Sequence, residues 1–449
     1  MQLNDRTTDA RRALTAATLA LLGGASVPGA HAEERSWDID TAVLVYSESD
    51  GRVQAVEPVM KGTLDLGGER LFTTKIVVDT LTGASPNGAT PASTPQTFTG
   101  ASGGTGSYTT PAFETPLDDR FKDTRVQGLL DYQFPLSADG TLGFGVTGGK
   151  EYDFLSAGAS LRYSHDLFQN NTTLSAGFSF ESDQIDPVGG VPIPLAEMLA
   201  SGGDDDGQGE DGPEGEDDDD PDGNGREDGR SDSKTVTDMV FGWTQVLSPR
   251  SLMQLNYSAS LSRGYQNDPY KILSVVGADG EPITYVYEAR PDSRMKHALY
   301  GRYKRLAFNR DVVDASYRFM TDDWGISSHT VDFGYRWYFA AHHYLEPHLR
   351  WYTQTAADFH RVALYDGEQL AVEYASADPR LGAFDAWTAG VKIGSGQRAG
   401  GTWSARLEWY QQSARVEGVP AQAAEGLSKF DLQPDLSALM LTLGYRFKW

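Results

Sequence analysis

The stretch LTLGYRFKW, Leu441 to Trp449, closes the sequence with a bulky apolar residue at every second position. Leu441, Leu443, Tyr445, Phe447 and Trp449 alternate with Thr442, Gly444, Arg446 and Lys448. A period of two is that of a β-strand with one apolar and one polar face. Two architectures accept such a strand. In a sandwich the apolar face meets a second sheet. In a membrane barrel it meets lipid and the polar face lines the lumen.

The same pattern recurs along the chain. SLMQLNYSASLSR (Ser251 to Arg263) sets Met253, Leu255, Tyr257, Ala259 and Leu261 against Gln254, Asn256, Ser258, Ser260 and Ser262. TVDFGYRWYF sets Val331, Phe333, Tyr335, Trp337 and Phe339 against Asp332, Gly334, Arg336 and Tyr338, and WSARLEWY sets Trp403, Ala405, Leu407 and Trp409 against Ser404, Arg406, Glu408 and Tyr410. Aromatics gather at strand ends, as an interfacial girdle requires. Core aromatics of a soluble sandwich are the blander account.

The connections decide between the two. Short turns at Gly67-Gly68, Ser137 to Gly140, Phe168 to Asn171, Ser248 to Arg250, Asn309 to Asp311, Ala341 to His343 and Gln397 to Gly400 alternate with other links. Five of those are long: Gly83 to Arg120, Gln184 to Ser233, Gly264 to Arg294, Asp358 to Ala383 and Ala414 to Asp435. Three more, near Ser49, Glu151 and Asp323, are tight. Short periplasmic turns and long outer loops are the asymmetry of outer-membrane barrels. The expected fold is all-β, a transmembrane antiparallel up-and-down β-barrel of about sixteen strands, or fourteen if Leu142 to Leu167 is divided differently. An even count returns both chain ends to the periplasmic side, where the last strand pairs with the first. IPLAEMLA, Ile193 to Ala200, is the best short helix candidate.

At the N-terminus, Arg11-Arg12, the apolar run Ala13 to Leu22 and the small-x-small triplet Ala30-His31-Ala32 read as a signal peptide over residues 1–32, leaving residues 33–449 as the barrel. The apolar run is too short to span a bilayer. The chain has no cysteine, so barrel closure or a large core must hold it. A formal charge of −25 argues against nucleic acid as a partner. About half of that charge lies between Ser201 and Asp232.

Parity places charges of both signs in the lumen. Arg162, Arg302, Lys304, Arg318, Arg336, Arg350, Lys392, Arg406 and Arg446 point inward, as do Asp131, Glu181, Asp238, Asp314, Asp332, Glu346 and Glu408. The plain reading is a satisfied ion-pair lattice, because buried charges must be paired. The sharper one is a basic ladder that conducts anions. In the acidic segment, Asp218, Asp220 and Asp222 stand at alternate positions before Gly223, the first half of a calcium loop. The closing Glu is absent and Gly229 takes its place, so a solvated charge block is the default and calcium the only cofactor entertained. TDDWGISSHT (Thr321 to Thr330) gathers Asp322, Asp323, Ser327, Ser328 and His329, but Ser328 and His329 face opposite sides of a strand. A tight turn with Trp324 at the membrane interface is favoured over a hydrolase, and no enzyme activity is expected. His342 and His343 in a short turn, with His348 on the next strand, are read as loose histidines before a metal set.

Several stretches resemble one family of bacterial proteins, domain-of-unknown-function family 3570: VVDTLTGASPNGA (Val77 to Ala89), GWTQVLSPRSLMQLNYS (Gly242 to Ser258), GYQNDPYKI (Gly264 to Ile272), EARPDSRMKHALYGRYKR (Glu288 to Arg305), RFMTDDWGISSHTV (Arg318 to Val331) and YLEPHLRWYTQTAADF (Tyr344 to Phe359). The resemblance implies a barrel in the outer membrane of a Gram-negative bacterium and carries no established chemistry. It also implies a setting beside a small lipoprotein, a thioredoxin-like protein and a flavin transferase. Tyr445, Phe447 and Trp449 are similar to the terminal signal read by the barrel assembly machinery, with Trp449 where such signals usually end in Phe. Passage of a small solute or ion through the lumen is the expected role. The alternative is a non-conducting scaffold or receptor for a lipoprotein or redox partner.

Overall fold

The computed structural model describes residues 36–49, 51–99, 107–198, 226–227, 230–308, 310–396 and 401–449. Sixteen strands form one closed barrel. They are β1 (Trp37–Glu48), β2 (Gln54–Asp65), β3 (Leu71–Pro86), β4 (Leu117–Pro135), β5 (Gly140–Lys150), β6 (Phe154–Leu167), β7 (Thr172–Ile185) and β8 (Asp232–Ser248). Then follow β9 (Ser251–Gly264), β10 (Ser293–Ala307), β11 (Asp311–Asp322), β12 (Ser327–Arg336), β13 (His343–Gln354), β14 (Ala383–Ser395), β15 (Thr402–Arg415) and β16 (Leu436–Lys448). Each pairs antiparallel with the next. The stretch Leu142 to Leu167 supplies two strands, β5 and β6, paired from Gly140 opposite His165 to Lys150 opposite Leu155, so the count is sixteen and not fourteen.

The terminal strand is the seam. β16 lies against β1 from Asp38 opposite Lys448 to Glu48 opposite Ala438. The backbones of Trp37 and Trp449 exchange hydrogen bonds of 2.7 and 2.8 Å. Closure leaves the barrel wall without an edge strand to recruit another chain.

Alternation sorts the wall by polarity in the reverse of a soluble protein. Val43, Leu161, Phe241, Leu299, Leu407 and Leu443 face outward and are 40–57% exposed. Thr73, Asp131, Ser156 and Gln254 face inward and are buried. An apolar belt of this extent, shared by every part of the wall, is what a bilayer-facing surface requires. At the short-turn end the outward face turns aromatic. Tyr132 lies 5.8 Å from Phe144, Trp337 5.7 Å from Phe339, His343 6.3 Å from Trp403 and Tyr445 5.6 Å from Phe447, ring centre to ring centre.

The other end carries a cap. The described parts of the five long links fold together over the barrel mouth. A three-stranded sheet joins Pro282–Tyr287, Ile272–Val276 and Leu364–Tyr365. A hairpin pairs Gln96–Thr99 with Ser107–Thr110. Apolar side chains from different links fill the space between. Phe98, Met198 and Tyr287 form one cluster, Leu273, Leu364 and Ala375 a second, and Val276, Ala363 and Leu427 a third. Gly88 makes one of the closest approaches: it takes φ +102°, and a Cβ there would stand 2.3 Å from the Ile272 carbonyl oxygen.

Two sequence expectations need correction here. Ile193 to Met198 is not helical. Leu195 takes φ 59°, and the segment runs along Pro282–Tyr287, with Met198 N–H bonded to the Tyr285 carbonyl at 2.8 Å. Three backbone bonds to a neighbouring strand outweigh a weak local helix preference. Trp324, expected at the membrane interface, is buried. Its ring stacks edge-on to Phe359 at 5.1 Å, its Nε1 donates to the Ser293 carbonyl at 2.8 Å, and the Arg294 guanidinium covers its face at 4.4 Å. The tight turn reading at this position agrees with the structure, with Asp322 accepting from the Trp324 and Ile326 N–H groups at 3.1 and 2.8 Å.

Candidate functional site

The inward-facing charges fall into two zones. Near the short-turn end they are paired wall to wall. Arg162 meets Asp131 through two bonds of 2.6 and 2.8 Å. Asp314 takes Arg302 at 2.7 Å and Lys304 at 3.3 Å. Arg446 meets Asp38 at 2.8 Å. A longer chain crosses β12, β13 and β15. Arg336 and Arg406 share Glu346 at 2.6 and 3.3 Å, Arg406 reaches Glu408 at 3.3 Å, and His348 lies between Glu408 and Asp332 at 2.7 and 2.9 Å. An acceptor at each ring nitrogen is satisfied in full by the doubly protonated ring. This lattice stiffens the wall and leaves little net charge. Replacing His348 with alanine removes the bridge between Asp332 and Glu408 and leaves Glu408 with Arg406 as its remaining cation. That variant is expected to lose about 1–3 kcal/mol of stability, read as a lower urea midpoint of the purified barrel.

Nearer the cap the pattern changes. A cavity of about 670 Å³ opens between the wall and the underside of the cap. Among the described residues, ten Arg and Lys side chains line it against five Asp and Glu. Some of the cations have acid partners: Arg52 with Glu48 at 3.4 Å, Arg125 with Glu151 at 3.4 Å, Lys234 with Asp183 at 3.7 Å and Arg294 with Asp322 at 2.5 Å. Arg318 and Arg350, named from parity, face this chamber. The Arg350 side chain makes no hydrogen bond or ion pair with any described residue and stands open to the lumen.

The roof is held by a buried ionic knot that parity could not reveal. Arg290 pairs with Glu288 and Asp378, each at 2.8 Å. Arg380 pairs with Asp378 at 2.5 Å and with Asp268 at 2.8 Å. Ser376 Oγ donates to Glu288 at 2.5 Å, and Lys271 donates to the Pro86 carbonyl oxygen. Three acids face three bases, which satisfies the rule for buried charge. Burial would raise the Asp378 carboxyl, but Arg380 and Arg290 overcome it and hold the group well below the usual carboxylate range. Burial pushes Glu288 up to about 7 against the pull of Arg290. A sequence signal existed. NDPYK, EARP and DPR each set an acid two or three residues before a base, with a proline next to one of the two.

The remaining sequence candidates are dispersed. Ser327 bonds Thr321, Ser328 is buried toward the chamber, and His329 points outward to the Tyr317 hydroxyl at 2.7 Å. His343 stacks on Phe339 while His348 sits in the lattice, so the three histidines are not assembled. Among the described residues no set of three or more His, Asp or Glu is placed to hold a metal. Asp218, Asp220 and Asp222, and the signal peptide over residues 1–32, lie outside the described residues.

No curated protein matches the sequence. A family model described as "Protein of unknown function (DUF3570)" matches residues 11–447. Solved structures with a similar shape include a mutant of the ferric enterobactin receptor PfeA from Pseudomonas aeruginosa, at 9% identity and TM-score 0.41, covering 86% of this chain and 55% of that one. CdiB from Acinetobacter baumannii is similar at 7% identity and TM-score 0.42, covering 92% and 61%. The CymD monoaromatic hydrocarbon channel is similar at 7% identity and TM-score 0.38, covering 93% and 89%. The chain spans little more than half the length of the receptor structures it matches.

Proposed function

From the premise that this chain belongs to the DUF3570 family of proteins of unknown function, we propose an outer-membrane channel that admits small anions through the basic chamber under its cap. The observation that carries the reading is the charge of the chamber. Ten cations against five carboxylates reach its surface, in a protein whose formal charge is −25; acids behind the lining answer Lys234, Arg294 and Arg290, and the Arg350 side chain is left open to the lumen. Cations presented at the surface of a low-dielectric lumen attract anions. The paired lattice below the chamber keeps the lower lumen wet without a strong field of its own. The apolar belt, the aromatic rim and the even strand count support the membrane setting, and Tyr445, Phe447 and Trp449 on the seam strand support recognition by the barrel assembly machinery. Catalysis is not part of the proposal.

The test is the reversal potential of single channels in a planar bilayer under a potassium chloride gradient. Anion preference is expected, reduced by Arg318→Gln and Arg350→Gln. A folded, heat-modifiable barrel that stays electrically silent would move the reading to a receptor or scaffold with a lipoprotein partner.

The preference should also depend on pH. Burial pushes the Glu151 carboxyl up to about 8, with Asp123 and Asp153 adding to the rise and Arg125 opposing it. At pH 7 the group is mostly neutral, and its ionisation above pH 8 adds a negative charge to the chamber. Anion preference is therefore expected to fall between about pH 7 and 9, and Glu151→Gln to flatten the profile. The folded chain holds this proton more tightly than the unfolded chain. The stability it contributes is full below the ordinary carboxylate range and is lost as pH rises through about 8.

A further inference from the structure

One part of the chamber wall is built differently from the rest. On β13, Arg350 and Tyr352 both face inward. Strand register sets Arg350 opposite Thr388 on β14 and Thr388 opposite Tyr410 on β15. The row above runs from Tyr352 through Ala386 to Gln412. The small side chains of Ala386 and Thr388 thus floor a shallow slot. Tyr352 bounds it on one side, with the Phe384 ring tilted against it at 5.4 Å, and Tyr410 bounds it on the other. Arg350 stands at its lower corner, two strands or about 10 Å from Tyr410 along the sheet.

The tyrosines are pinned. Tyr352 donates its hydroxyl to Gln354 Oε1 at 2.7 Å, and Tyr410 donates to Gln412 Oε1 at 2.8 Å. Each hydroxyl is satisfied by an acceptor two residues along its own strand. The rings are therefore held along the wall and offer apolar ring surface, not a polar tip, to the slot. An open guanidinium beside two fixed rings is a mismatch for an inorganic ion, which gains nothing from the rings. It suits a molecule with a carboxylate at one end and a flat apolar body.

We infer that the slot bounded by Arg350, Tyr352 and Tyr410 binds small organic anions with a planar apolar body, the carboxylate on Arg350 and the body over Thr388 and Ala386. This rests on the anion-channel reading for its setting and narrows it to a solute class. The cavity of about 670 Å³ accepts a molecule of that size.

The experiment is calorimetric titration of the purified full-length barrel in detergent with benzoate, acetate and inorganic phosphate, beside bilayer conductance with the same three anions. Benzoate is expected to bind about tenfold more tightly than acetate, from ring contact added to a charge-assisted pair. Arg350→Gln should weaken benzoate by about tenfold. Thr388→Phe, which fills the slot and keeps every charge, should abolish the benzoate preference, so the inference does not hang on one variant. Heat-modifiable migration checks that each variant is folded. Equal binding of benzoate and acetate, or benzoate binding indifferent to both substitutions, overturns the inference. Conducting channels with no benzoate preference would leave the anion-channel reading standing and this one refuted. Slot-dependent benzoate binding to a silent barrel would do the reverse.

Discussion

Replacing Asp378 with alanine is expected to untie the cap while leaving the barrel intact. Asp378 is buried and takes Arg290 at 2.8 Å and Arg380 at 2.5 Å. Its removal leaves two guanidinium groups facing each other beside Lys271, with only Glu288 and Asp268 to answer three positive charges. Breaking a buried pair by deleting one partner costs about 3–5 kcal/mol, most of it the penalty of the stranded charge. A cap assembled from short apolar clusters has little reserve against a loss of that size. The barrel does not share the loss, because its own ladder runs unbroken from β1 to β16. Limited proteolysis should therefore cut within the links 265–292 and 355–382, heat-modifiable migration should persist, and, on the proposed channel reading, conductance should rise. Asp378→Asn should behave much like alanine, since shape is kept and charge is not. Links that resist protease in both variants would show that the ionic knot does not hold the roof.

Putting arginine at Leu443 is expected to be the most damaging single change to the barrel itself. Leu443 stands midway along the seam strand, is 51% exposed on the outward face, and lies opposite Val43 on one side and Ala405 on the other. A charged side chain at the middle of the lipid-facing wall costs about 2–4 kcal/mol. The neighbouring Thr442→Arg points into the lumen and should cost far less. The pair of variants, compared by urea unfolding in lipid, isolates facing from sequence position. Equal losses at the two sites would contradict the assignment of inner and outer faces.

The barrel was legible because its signal is local and repeated. Period-two patterning places Leu441, Leu443 and Tyr445 on one face without any knowledge of neighbours, and turn residues such as those before β7 and β9 fix the strand ends. Inward charges followed from the same parity, as with Arg162 and Asp131, although their pairing did not. The cap was not legible. Its core draws Phe98, Met198, Leu273, Leu364 and Leu427 from five links, each too irregular to show a period. Trp324 shows the limit of parity: an aromatic at a strand end reads as a girdle residue, yet tertiary packing against Phe359 takes it inside. The basic excess of the chamber was half visible. Arg318 and Arg350 lie on strands, while Lys271, Arg290 and Arg380 lie in links where facing has no rule.

The way the links interlock also ties the roof to the seam. The third apolar cluster joins Val276 and Ala363 to Leu427, which belongs to the connection between the last two strands. That connection leads into β16, the strand that meets β1 across a separation of 404 residues. The roof therefore rests on a link anchored at the closure of the wall, so strain at the seam bears directly on the third cluster of the cap.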